Sequence, residues 1–117
     1  MNLSPELVKI NGKTFVAVRT YECAGRRFFF IPPEGDHFKR LERNKQRSLA
    51  HQANRNWRGI HEEAAEVVAL WITPEGADPR EKDIDAFKEE VLTLPYGFVT
   101  SVLIDILEMA EEGAKRK

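Results

Sequence analysis

The sequence predicts a mainly α protein of the α+β class, four to five helices packed as a small bundle with an N-terminal β-hairpin. Three observations predict it. Asn11-Gly12 separates two β-prone runs near the start of the chain. Apolar residues then recur at helical spacing between marked stops from Asp36 to Leu94. Finally, placed at about 100° per residue, the stretch after Pro95 divides into an apolar and a polar half. The apolar half holds Tyr96, Phe98, Val99, Val102, Leu103, Ile106, Leu107, Met109 and Ala110.

The hairpin comes first. Leu7-Val8-Lys9-Ile10 and Lys13 to Arg19 flank Asn11-Gly12, and Asn-Gly suits a type I′ turn because both central residues need positive φ. Two strands alone are marginal, so the hairpin must lie on helices or join further strands. Thr20 to Ile31 is open between two readings. Thr20 can cap a short helix with Glu22 in its first turn, whereas Arg27-Phe28-Phe29-Phe30-Ile31 has strong strand propensity. Pro32-Pro33-Glu34-Gly35 ends either one.

Asp36 is placed to cap a polar, basic helix with Phe38, Leu41, Leu49 and Ala50 as its thin apolar content, interrupted near Asn54-Arg55-Asn56. A stronger helix is expected from Arg58 to Ile72. Its inward stripe is Trp57, Ile60, Ala64, Val67, Val68 and Trp71, with Glu62, Glu63 and Glu66 outside. Thr73-Pro74-Glu75-Gly76 stops it. Asp78, followed by Pro79 and Glu81, is then expected to cap a helix that turns Ile84, Phe87, Val91 and Leu94 inward. Pro95 opens the last helix, because a missing N–H costs nothing in a first turn. On that helix Ile104 is the one apolar residue of the polar half.

A chain of 117 residues makes one domain, set at residues 1–112, with 113–117 as a basic tail. The single Cys23 excludes an internal disulfide framework and fits a reducing, cytoplasmic setting. No signal peptide or membrane span is legible. The net charge of −1 conceals an asymmetry, +7 over residues 1–60 and −11 over residues 61–112. That polarity either favours head-to-tail contact between copies or neutralises itself within one fold.

No catalytic signature is present, so an enzyme is not expected, nor is a cofactor or metal. His61-Glu62-Glu63 lacks the second histidine of a zinc helix, since position 65 is Ala. Cys23 reads as an inert thiol. Between Lys39 and Arg58 seven cations face Glu42 alone. Such a helix could follow a phosphate backbone, but no nucleic-acid-binding motif accompanies it. Lys39, Arg40, Arg43 and Arg47 are read instead as a basic docking face.

The whole arrangement resembles the tail assembly chaperones of long-tailed bacteriophages, the lambda-like minor tail protein group. The resemblance spans roughly residues 8 to 112. It rests on Ile10-Asn11-Gly12 with the β run after it, the helix end at Leu70-Trp71, and Glu89-Glu90-Val91-Leu92-Thr93-Leu94-Pro95. It implies a small, mostly helical, non-enzymatic protein of the host cytoplasm, absent from the mature virion. Such a protein would coat the hydrophobic tape-measure protein until tail-tube protein polymerises around it. It also favours the helical reading of Thr20 to Ile31. Many genes of the family yield a longer frameshifted product, whereas this chain ends at GAKRK without a long polar tail. A small nucleic-acid-binding protein and a structural connector or completion subunit are the alternatives. For a helical partner the candidate contacts are Phe28, Phe29, Phe30, Tyr96, Ile104 and Leu107, because an amphipathic helix needs an apolar surface rimmed by charge.

Overall fold

A computed structural model describes the backbone of residues 5–34 and 36–115 and the side chains of residues 5–34 and 39–109. It is an α+β fold. In chain order it contains strands β1 (Glu6–Ile10), β2 (Lys13–Ala17), β3 (Arg19–Cys23) and β4 (Arg26–Phe30), then helices α1 (Asp36–Ala53) and α2 (Trp57–Trp71). Strand β5 (Ile72–Pro74) and helices α3 (Ile84–Leu92) and α4 (Tyr96–Lys115) complete it.

The expected hairpin is β1–β2, antiparallel with Val8 opposite Phe15. Asn11 and Gly12 both sit at positive φ, as a type I′ turn requires. Thr20 to Ile31 is not helical. Its residues form a second hairpin around Ala24-Gly25, again with both turn residues at positive φ. The β-branched and aromatic content of Thr20, Tyr21 and Phe28 to Phe30 outweighs Thr20's capping potential. Strand β5 then pairs with β4, giving a three-stranded antiparallel sheet in the order β3-β4-β5.

The chain bends at Val18, so the first hairpin folds back over this sheet instead of extending it. Alternation along β4 decides the packing, because neighbouring side chains in a strand point to opposite faces. Phe28 and Phe30 enter the main core, where Phe28 meets Phe87 of α3 and Phe98 of α4, and Phe30 meets Trp71 of α2. Phe29 and Ile31 enter a smaller cluster with Phe15 and Ala17, covered by Val8 and Ile10. The sheet is thus a middle layer, with helices on one face and the hairpin on the other.

The helices depart from expectation in particular places. α1 ends at Ala53, and the following turn holds Arg55 at positive φ. The capping side chain of Asp36 and the side chain of Phe38 lie outside the described residues. In α2 the inward residues are Gly59, Glu63, Ala65, Glu66, Val68, Ala69 and Leu70. Trp57 is exposed, and the buried Glu63 and Glu66 reverse the expected outer face. Asp78 does not cap α3. It binds Arg80 through backbone and side chain and closes a single turn, and Asp83 caps α3 by accepting from the Ala86 N–H. Ile84, Phe87 and Val91 are buried as expected. The α4 backbone continues to Lys115.

Candidate partner-binding surfaces

The six candidate contacts separate into two groups. Phe28, Phe29 and Phe30 are buried and hold the sheet between its two covering layers, so none of them can receive a partner in this fold. Tyr96, Ile104 and Leu107 are 73%, 50% and 68% exposed. At about 100° per residue they lie within about 80° of one another on α4. Among the described residues of that helix the buried arc is narrower than the sequence suggests and consists of Val99, Val102, Asp105 and Ile106.

The strip continues onto α2. The His61 ring lies against Tyr96 with centroids 6.1 Å apart, and Trp57, one turn earlier on the same helix, is 70% exposed. Along α4 alone, Tyr96 to Leu107 spans about 16 Å at 1.5 Å per residue. An aromatic and aliphatic surface therefore crosses two helices.

The expected basic face also divides. Lys39 and Arg43 are exposed. Arg40 and Arg47 turn inward to Glu63 and Glu66, carboxylates of α2 that are buried and not on the outer face that helical spacing predicts. Arg40 Nη2 donates to Glu66 Oε1 at 2.6 Å and to Asp85 Oδ1 at 3.0 Å. Arg47 Nη2 donates to Glu66 Oε2 at 2.9 Å, and its Nε lies 3.1 Å from Glu63 Oε1. Asn44, fully buried between them, donates from Nδ2 to Glu63 Oε2 at 2.6 Å and also to Glu66. Burial opposes ionisation of Glu66, but hydrogen bonds from Asn44 and Arg40 and the charges of Arg40 and Arg47 outweigh it. Its carboxyl is held below the ordinary value.

At the far end of the contact the backbone of α2 approaches α1 closely. A Cβ on Gly59 would stand 2.5 Å from His51 Nδ1 and 2.7 Å from Asn56 Nδ2. Asn56 caps α2 by accepting from the Gly59 N–H through Oδ1, which leaves its Nδ2 to donate to His51 Nδ1 at 3.1 Å. The signal for this interface was present in the sequence. Arg40, Asn44, Arg47 and His51 recur at i, i+4, i+7 and i+11, a helical face that happens to be polar.

Part of the charge asymmetry is met by ion pairs within the chain. Arg19 pairs with Asp105, Arg26 with Glu90 and Arg27 with Glu75, and Arg40 and Arg47 pair as above. The basic half and the acidic half are tied together within one chain.

Among the described residues no cluster of His, Cys, Asp or Glu could hold a metal ion, and no helix is long and apolar enough to cross a membrane. Burial pushes the Lys82 ammonium down to about 7. Its Nζ is committed to Leu70 O, Ile72 O and Thr73 Oγ1, so it closes the C-terminus of α2. A cavity of about 200 Å³ lies between Phe15, Ile31, Pro33, Leu70, Pro79 and Arg80. It is smaller than the usual range for a cofactor or metabolite site, whereas a more open cleft of about 650 Å³ between Glu22, Cys23, Arg26, Arg27, Pro74 and Glu75 falls within that range. No protein-family model, curated protein or solved structure matches this chain.

Proposed function

We propose that the protein is a tail assembly chaperone of a long-tailed bacteriophage, a non-enzymatic binder of the helical tape-measure protein. In this reading it works in the host cytoplasm, shields the partner's apolar face until tail-tube protein polymerises around it, and is left out of the virion. The observation that carries the proposal is the exposed strip formed by Trp57, Tyr96, Ile104 and Leu107 on a chain with a closed core. A helix face of this kind receives the apolar stripe of an amphipathic helix. Each well-buried side chain contributes roughly 1.5–3 kcal/mol, so one contact is weak, and many copies along a long partner supply the avidity.

Co-expression with the tape-measure protein of the phage that carries this gene tests the reading. The soluble fraction of the partner should rise with the wild-type chain and fall back with the double variant Ile104→Asp, Leu107→Asp. A partner equally soluble or insoluble with and without the chain would sink the proposal. Stoichiometric recovery of the chain from purified virions would favour a connector or completion subunit instead.

A further inference from the structure

We propose that the α2 face formed by Gly59, Glu63 and Glu66 is a docking site for a basic helix, and that α1 is its exchangeable resident. The inference goes beyond the chaperone reading and does not rest on it. The main core is built from Val68, Leu70, Phe87, Val91, Val102 and their neighbours on α2, α3 and α4. Among the described residues of α1 the only buried side chain is Asn44, and Leu41 alone packs partly against that core. The described part of α1 is therefore held mainly by Arg40, Asn44 and Arg47 on two carboxylates, with Leu41 as its partly buried apolar contact.

Contacts of this type hold position more than they add stability, because removing the charges from water offsets much of their attraction. The interface is also incompletely satisfied. Asn44 Oδ1 and Arg40 Nε have no hydrogen-bond partner among the described protein atoms, a geometry less favourable than a fully paired network. α1 is joined to the rest by a proline-rich segment on one side and by Asn54-Arg55-Asn56 on the other, where Arg55 takes a left-handed φ of 53°. Among the described residues, its departure would take only Leu41 away from that core. The uncovered face is selective: two carboxylates one turn apart accept guanidinium groups at i and i+7, an amide sits at i+4, and Gly59 leaves room for an imidazole at i+11. A partner helix of that pattern is the occupant the face fits.

The test adds a labelled peptide of residues 36–53 to the full-length protein and follows hydrogen exchange of the wild-type chain in parallel. The peptide should bind saturably and weaken at least tenfold between low and high salt, since the contact is ionic. A peptide with Arg40→Gln and Arg47→Gln should bind at least tenfold more weakly. Backbone amides of α1 should exchange at least tenfold faster than those of α2 and α4. The proposal is overturned if α1 exchanges only together with α2, if the peptide fails to bind at low salt, or if the glutamine peptide binds equally well.

Discussion

Tyr21 donates its hydroxyl to Asp105 Oδ2 at 2.6 Å, joining β3 to α4 across 84 positions of sequence. Arg19 Nη1 reaches the same oxygen at 3.0 Å. Burial and the bond to Asp105 both raise the phenol above its ordinary value, with Arg19 opposing, so the proton stays on Tyr21. The carboxylate of α4 is thus met by one neutral donor and one charged donor from a single strand. Tyr21→Phe keeps the ring contacts with Phe30 and Phe98 and removes one buried donor. We expect a loss of about 1–3 kcal/mol in chemical denaturation. A loss below about 0.5 kcal/mol would mean that Arg19 alone satisfies Asp105.

Acid should weaken the fold through Asp78. Hydrogen bonds from the Arg80 side chain and backbone, with a further one from Asn11, lower its carboxyl from 3.8 to about 2. Because the folded value lies below the unfolded one, its stabilisation is complete above 3.8 and is lost as pH falls toward 2. Glu66 is shifted in the same direction. Thermal midpoints of wild type and Asp78→Asn, measured from neutral pH downward, should differ by a constant amount above about pH 4 and converge below it. A gap that persists unchanged to about pH 2 would contradict the depressed value.

Gly59→Ala tests the close approach of α1 and α2. Alanine favours a helix interior over glycine by up to about 1 kcal/mol. Here its Cβ would press on the His51 ring and the Asn56 amide, and overpacking of this kind costs about 1–3 kcal/mol. A lower thermal midpoint is therefore expected. A higher one would show that the two helices part without cost.

The two groups of candidate contact residues should behave oppositely. Ile104→Asp and Leu107→Asp lie on exposed positions, so stability should move by less than about 0.5 kcal/mol each while binding to the helical partner weakens. Phe28→Ala empties the main core and should cost about 3–5 kcal/mol. Denaturation curves paired with a pull-down separate these outcomes. A large loss of stability at Ile104 would place it in the core.

The sequence was informative wherever the decisive chemistry is local. Asn11-Gly12 carries its own turn preference, Pro95 marks the start of α4, and the spacing of Ile84, Phe87 and Val91 identifies the inner side of α3. It was uninformative where a partner lies far along the chain. Glu63 and Glu66 look like solvated carboxylates because the arginines that neutralise them are 16 to 26 positions away on another helix. Asp105 looked exposed for the same reason. The sequence leaves Thr20 to Ile31 open between helix and strand because Ala24 holds a left-handed φ of 52°, a conformation for which alanine has no preference, so no turn signal marks the second hairpin. For the candidate site, Ile104 was legible as an apolar residue among polar ones, whereas the burial of the three phenylalanines depended on which layers would cover β4.

Three consecutive phenylalanines leave β4 unable to measure its own alignment. A slip of one position would exchange Phe28 and Phe30 for Phe29 on each side, and an aromatic ring would still point both ways. Hydrophobic patterning ordinarily penalises such a slip by turning the apolar set to the wrong side. Here the penalty is blunted, and the ruler is the two-residue Ala24-Gly25 turn, which fixes Tyr21 opposite Phe28. A residue inserted into that turn would leave each layer greasy yet misplace Tyr21 relative to Asp105. The product would be a collapsed chain with interchangeable alignments instead of one native arrangement.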